Sequence, residues 1–320
     1  MREIQLTEIE GFRIGHAQDE KGGTGCTVII CEKGAPAGVD VRGGGPASRE
    51  TPLLNPVAAC QGIHGILLSG GSAFGLDAAG GVMKYLEERT IGFDTGVTKV
   101  PLICQSCIFD LGVGDQNCRP DQAMAYAACV NSEKNAPSQG NVGAGTGASV
   151  GKLAGAARAM KAGIGMYAVQ VGSLQVGAVV VVNALGDVFD PDTGKQLAGL
   201  LNPERTDLAS SEKLLYQMVE AQENLFTGNT TIGVVLTNGK FDKTQMNKLA
   251  AMAHNGYART ICPVNTSADG DSIYAMTNGQ LEANLDVAGT LAARVVSQAV
   301  KQAVVSAKAA YGLMAYQDIL

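Results

Sequence analysis

The chain has 320 residues, 46% of them hydrophobic and 17% charged, with 42 glycines, no tryptophan and a net charge of −6. These values describe a globular protein with room for one large or two ordinary domains. No Lys/Arg cluster supplies the basic patch that nucleic acid requires, and the longest apolar stretch, Val176 to Leu185, is too short for a membrane helix.

The N-terminal segment Met1-Arg2-Glu3-Ile4-Gln5-Leu6-Thr7-Glu8 carries acids where a signal peptide needs an apolar core, so a cytoplasmic location is expected. Alternation then predicts strands at Thr24 to Cys31 and Ala37 to Val41, broken by Arg42-Gly43-Gly44-Gly45-Pro46. Ile63 to Leu68 reads as a buried strand, the loop Ser69 to Gly75 follows, and Leu76 to Glu88 has helical spacing. A second helix is expected over Asp121 to Val130, opened by Pro120 and Asp121.

Asn131 to Ser149 reads as an ordered, glycine-rich loop, and Met166 to Val171 and Val176 to Val182 as strands joined by Gly172-Ser173. Asp187 to Gly194 reads as a turn. Helices are expected over Leu208 to Ala221, Lys243 to Arg259 and Ala283 to Tyr311, and strands over Thr231 to Thr237 and Ser272 to Met276. There is no internal repeat. Strands and helices mix without strict βαβ alternation, which favours a layered α+β fold over a doubly wound sheet.

Several chemical patterns fail on inspection. Cys104-Gln105-Ser106-Cys107 has no second CxxC and no nearby histidine, so neither a metal nor any other cofactor is expected. The eight cysteines read as reduced core residues. Gly70-Gly71-Ser72-Ala73-Phe74 lacks the closing glycine of a nucleophile elbow. In Gly145 to Leu153 the first glycine is one residue too far from Gly151-Lys152 for a phosphate loop, and Leu153 replaces its Ser/Thr. Gly143-Ala144-Gly145 follows no strand, as a dinucleotide fingerprint would. These glycines read as turns or as close backbone approaches, and the second option draws attention to Lys152.

The segment Gly228-Asn229-Thr230-Thr231 runs from a turn straight into an apolar strand. Its simplest reading is a strand entrance with threonine chosen for β-propensity. The alternative is self-cleavage at Asn229–Thr230, which would give Thr230 a hydroxyl nucleophile and an α-amine base on one residue. The three histidines, 16, 64 and 254, show no catalytic spacing, which favours a nucleophile that brings its own base. Asp269 and Asp271 read either as an Asx turn or as a carboxylate pair serving Thr230, and Asn183 ends an apolar run as a buried amide that must find partners.

Taken in order, several segments resemble the DmpA-type (P1 family) aminopeptidases, which include β-peptidyl aminopeptidases and nylon-oligomer hydrolases. They are Val39 to Pro46, Leu68 to Leu76, Ile108 to Leu111, Gly140 to Ala148, Val182 to Asp187, Asn229 to Ile232 and Asp269 to Asp271. The resemblance implies a four-layered αββα sandwich with the architecture of N-terminal-nucleophile (Ntn) hydrolases but different connectivity. It implies one catalytic domain, 1–320, that cuts itself into α (1–229) and β (230–320) subunits and assembles as a homo-oligomer of αβ units.

It also implies Thr230 as nucleophile, Asn183 at the oxyanion, and Lys152, Asp269 and Asp271 around the nucleophile, with Tyr126 as the active-site tyrosine. Ser72, Gly143 and Gly145 are expected on the substrate side. The expected substrate is a small peptide or aminoacyl amide. Thr-Thr is closer to the nylon-oligomer hydrolase variant than to the members that use serine. An acyltransferase of ornithine acetyltransferase type and a non-catalytic binding protein are the rival readings.

Overall fold

A computed structural model describes residues 1–219 and 228–319. Residues 220–227 lie outside it, including Ala221 of the expected helix and Phe226 and Thr227 before the Gly-Asn turn.

Two sheets lie face to face. The six-stranded sheet has the order Arg2–Ile4, Ile164–Val171, Leu174–Val181, Ile232–Gly239, Ser272–Leu281, Ala37–Val41. The five-stranded sheet runs Arg13–Asp19, Thr24–Ala35, Ile63–Ser69, Ile103–Cys107, Ala47–Arg49. Helices α1 (Ala79–Glu87) and α2 (Gln122–Ser132) cover the outer face of the five-stranded sheet, and the short α3 (Ser211–Gln217) leads out of the described segment. Helices α4 (Lys243–Ala253), α5 (Asn255–Ala258) and α6 (Leu285–Val305) cover the six-stranded sheet. The result is the four-layered αββα arrangement that the resemblance implies.

Alternation explains why the central strands read as unbroken apolar runs. In Leu174–Val181, Val176, Ala178 and Val180 face the helices, while Val179 and Val181 face the other sheet. Both faces are buried, so both must be apolar. Tyr274 ties the sheets at one polar point: its Oη donates to the Gln105 carbonyl at 3.0 Å and lies 2.8 Å from Ser106 Oγ. The high glycine content reflects close helix–sheet approach. A Cβ on Gly165 would lie 2.0 Å from the Ala299 carbonyl of α6.

Caps set the helix starts. The Asp121 side chain accepts the Met124 N–H, Asp242 and Gln245 form a reciprocal capping box, and Asn284 accepts the N–H groups of Asp286 and Val287. Four expected helices are shorter than their patterns, the one expected over Leu208 to Ala221 forming only Ser211–Gln217 among the described residues. The first begins with a 3-10 segment, Ser72–Ala78, entered through left-handed Gly71. The helix expected to Arg259 breaks at His254 between α4 and α5. The last stops at Val305, and beyond it Asn141 takes the chain, its Oδ1 accepting the Lys308 N–H at 3.1 Å and its Nδ2 donating to the Lys308 carbonyl at 2.8 Å. Asp187–Phe189 is a strand rather than a turn, pairing with Gln196–Ala198 and Ile261–Cys262.

Candidate active site

Thr230 lies at the mouth of the central strand Ile232–Gly239, buried at 5% exposure. That strand pairs in parallel with Ser272–Leu281, Ile232 opposite Ser272, and an isolated parallel bridge joins Asn229 to Asp269 in the same offset. The register therefore sets Asp269, Gly270 and Asp271 alongside Asn229, Thr230 and Thr231.

The backbone bonds follow. The Gly270 N–H donates to the Asn229 carbonyl at 2.8 Å, and the Thr230 N–H donates to the Asn183 carbonyl at 2.9 Å. The Thr230 hydroxyl donates to the same Asn229 carbonyl. The oxygen that would attack thus sits against the peptide group that would be cut. A Cβ on Gly270 would lie 2.7 Å from Thr230 Oγ1, so only glycine leaves the hydroxyl its place.

The two carboxylates hold the frame. Asp271 Oδ1 accepts the Thr231 N–H at 2.6 Å and its Oδ2 accepts the Asn265 N–H at 3.0 Å. Asp269 Oδ2 accepts the N–H and the hydroxyl of Thr266 at 2.8 and 2.6 Å. Burial, with Asp269 adding repulsion, pushes Asp271 up to about 7. Gly43 to Gly45, a structure breaker in the sequence, clamp this loop: the Arg42 and Gly45 N–H groups donate to the carbonyls of Asp271 and Asp269 at 3.0 and 2.8 Å.

Lys152 opens a 3-10 turn, Lys152–Ala154, after left-handed Gly151. Its Nζ donates to the Asn183 carbonyl at 3.0 Å and to the Gly228 carbonyl at 3.2 Å, one on each side of the Asn229–Thr230 pair. Burial pulls its ammonium down to about 7, although Asp269, Asp110 and Asp271 oppose the shift. Asn183 follows the strand Leu174–Val181 and is fully buried. Its Oδ1 accepts the Ser149 N–H at 3.2 Å and its Nδ2 donates to the Phe109 carbonyl at 3.1 Å.

Two buried groups escaped the sequence reading. Asp110 accepts the Thr24 hydroxyl and the Gly71 N–H, each at 2.7 Å, and burial raises its carboxyl. Lys161 donates to the carbonyls of Gly145, Ala148 and Ala162 at 3.1, 2.8 and 2.5 Å, and burial pulls it to about 7. A charge flanked on both sides by apolar or small residues is the only hint.

The structure brings together Thr230, Asn229, Asn183, Lys152, Asp269 and Asp271. It does not bring Tyr126 to them. Tyr126 lies on α2, where its Oη donates to Glu88 at 2.6 Å and its ring packs edge-on against Tyr85, with the five-stranded sheet between it and Thr230. The aromatic ring against the Gly228-Asn229 segment is instead Phe109, which a Cβ on Gly228 would meet at 2.2 Å. Gly143 and Gly145 are likewise corrected: both are buried close-approach positions, packed on Thr27 and His16 and on Ile164 respectively, not walls of a substrate site. Ser72 starts the 3-10 turn at left-handed φ, its N–H donating to the Ile108 carbonyl at 2.9 Å beside the Asp110 network.

The model of peptidase family S58 matches residues 5–317. An uncharacterized aminopeptidase of Mycobacterium leprae is 38% identical over 294 residues, covering 87% of this chain and 79% of that protein. A 6-aminohexanoate-oligomer endohydrolase of Agromyces sp. is 31% identical over 318 residues, covering 94% and 86%. The solved L-aminopeptidase D-Ala-esterase/amidase of Ochrobactrum anthropi, described as a variant of the Ntn hydrolase fold, superposes with a TM-score of 0.68 at 19% identity, over 94% of this chain and 86% of that one. That last likeness is one of fold. The match along nearly the whole length shows that the chain belongs to peptidase family S58 and is a hydrolase.

Proposed function

We propose that the whole chain is one catalytic unit that cuts itself between Asn229 and Thr230 and then hydrolyses amides through an acyl-enzyme on Thr230. The observation that carries this is the Thr230 hydroxyl lying on the Asn229 carbonyl while the Gly270 N–H donates to that oxygen at 2.8 Å.

In self-cleavage, Thr230 Oγ1 attacks the Asn229 carbonyl carbon and its proton passes to Lys152, whose burial favours the neutral amine. The carbon–nitrogen bond breaks, the proton returns to the Thr230 nitrogen, and an ester remains. Water hydrolyses the ester to an Asn229 carboxylate and a free Thr230 α-amine. That amine has a reference pKa of about 7.7–8.0 and serves as base in turnover. The Thr230 hydroxyl then attacks the substrate acyl carbon, and the Gly270 N–H and Asn183 Nδ2 take the oxyanion. The amine product leaves and water frees the acid. Asp271 and Asp269 position the strand entrance and set the field at Lys152.

Relatives named as aminopeptidases and as a 6-aminohexanoate-oligomer hydrolase support small peptides, aminoacyl amides or ω-aminoacyl amides as substrates. The mature enzyme is read as a cytoplasmic homo-oligomer of αβ units, which sedimentation would measure. The deciding experiment is intact mass and a denaturing gel on purified protein. Wild type should give chains 1–229 and 230–320, and Thr230→Ala a single chain without activity on aminoacyl p-nitroanilides. An uncut but fully active wild type would overturn the mechanism.

A further inference from the structure

Of the ten arginines in the chain, eight donate through the guanidinium to a protein acceptor, as Arg158 does to the Leu201 carbonyl at 2.7 Å and Arg205 to the Gly312 carbonyl at 2.8 Å. Arg259 and Arg294 have no such acceptor among the described residues. Both are exposed, and both line the same cleft of about 230 Å³.

The fold builds this cleft from three segments. On α6, Thr290, Arg294 and Gln298 are spaced four apart and share one face. Arg259 directly follows α5, which lies tight on α6: a Cβ on Gly256 would meet the Ala293 carbonyl at 2.6 Å, and Ser297 Oγ donates to the Gly256 carbonyl at 3.4 Å. Pro191 and Asp192 add a further wall. The strand Asp187–Phe189 carries them there, its Phe189 N–H donating to the carbonyl of Thr260, next to Arg259, at 2.7 Å.

The acids of this region are answered by other groups. Asp190 Oδ2 pairs with Lys301 Nζ at 2.8 Å. Asp192 Oδ2 accepts Gln298 Nε2 at 2.9 Å and lies 3.9 Å from the same Lys301 Nζ. Two positive charges therefore face the cleft with their N–H donors unused. The guanidinium fork matches carboxylate and phosphate oxygens two at a time. We propose that the cleft binds a small dianionic oxyanion, a phosphate ester or a dicarboxylate. The Arg259 and Arg294 forks neutralise its two charges, and its organic part packs on Pro191 and Leu291. A single carboxylate would leave one guanidinium without a partner. No lining residue belongs to the Thr230 centre, so the site stands apart from the cleavage reading.

Calorimetric titration of the purified full chain with inorganic phosphate and with succinate, at an ionic strength held constant with chloride, tests the site. One saturable site per chain is expected. Tighter binding of phosphate assigns it to phosphate esters, and tighter binding of succinate to dicarboxylates. Arg259→Gln and Arg294→Gln should each weaken binding about tenfold or more, the loss expected when a charged hydrogen-bond donor is removed. Asp192→Asn removes the carboxylate from the lining and should tighten binding severalfold. A loss in the arginine variants beside that gain is charge recognition and not damage to the fold. Absence of saturable binding by both anions, or an affinity unchanged in either arginine variant, overturns the site.

Discussion

The Gly270 N–H donates to the Asn229 carbonyl at 2.8 Å, and this one bond joins the acidic loop to the proposed cleavage site. It exists because the parallel register that pairs Ile232 with Ser272 continues outward to Asn229 and Asp269. The donor polarises the carbonyl that Thr230 Oγ1 would attack, without any side chain to reorganise.

Gly270→Ala tests that relationship. The added methyl would lie 2.7 Å from Thr230 Oγ1 and 2.8 Å from the Gly45 carbonyl, so the hydroxyl or the loop must shift. A displacement of order 1 Å costs about 100-fold in rate. Self-cleavage, timed on a denaturing gel, should slow by about that factor while circular dichroism stays that of wild type. Cleavage at the wild-type rate would remove Gly270 from the mechanism.

Thr230→Ser keeps a hydroxyl on the same carbon, whereas Thr230→Val keeps only the shape. We expect the serine protein to mature and the valine protein to remain a single chain. Intact mass distinguishes the two, and a cut valine protein would show that another group does the cleaving.

Lys152 supplies a pH dependence. Its folded pKa is lowered from 10.5 to about 7, so the fold favours the neutral amine. Self-cleavage should therefore accelerate as pH rises through about 7, and Lys152→Arg, which stays charged, should abolish that rise. Stability follows the same linkage. Between about 7 and 10.5 the unfolded chain holds a proton that the folded one does not, so raising pH across that window favours folding. In the uncleaved Thr230→Ala background, urea midpoints should climb from pH 7 to 10 relative to the same protein carrying Lys152→Met. A parallel pair of curves would contradict the shifted lysine.

Lys161 makes a contrasting case, a buried lysine whose Nζ bonds go to the carbonyls of Gly145, Ala148 and Ala162. Lys161→Met leaves the carbonyls of Gly145, Ala148 and Ala162 without their shared donor. The Gly145 and Ala148 carbonyls keep backbone donors, the N–H groups of Ala148 at 3.3 Å and Ala162 at 3.0 Å, so chiefly the Ala162 carbonyl is orphaned and a loss of about 1–3 kcal/mol is expected in urea unfolding of the Thr230→Ala protein. An unchanged midpoint would mean that water or another group satisfies the Ala162 carbonyl.

Much of the candidate site was legible along the chain, and for a physical reason. Thr230 stands out because a hydroxyl after Gly-Asn enters a strand buried on both faces, and Asn183 because a polar residue closes a valine run. Both signals are local. Tyr126 was misplaced for the opposite reason: an aromatic residue in an alanine-rich helix carries no mark of which layer the helix occupies. Gly143 and Gly145 looked like ligand-approach glycines, but the same composition serves close packing against Thr27 and Ile164.

The sequence by itself determined the strand and helix periodicities, the layered α+β class and the Gly-Asn turn that leads Thr230 into a buried strand, because these depend on the spacing of neighbouring residues. Only the tertiary structure decided what surrounds the hydroxyl. The Gly270 donor, the Lys152 contacts with two carbonyls and the Asp110 and Lys161 anchors all join segments far apart in the chain. They form through sheet register and loop crossing, which no local pattern of residues encodes.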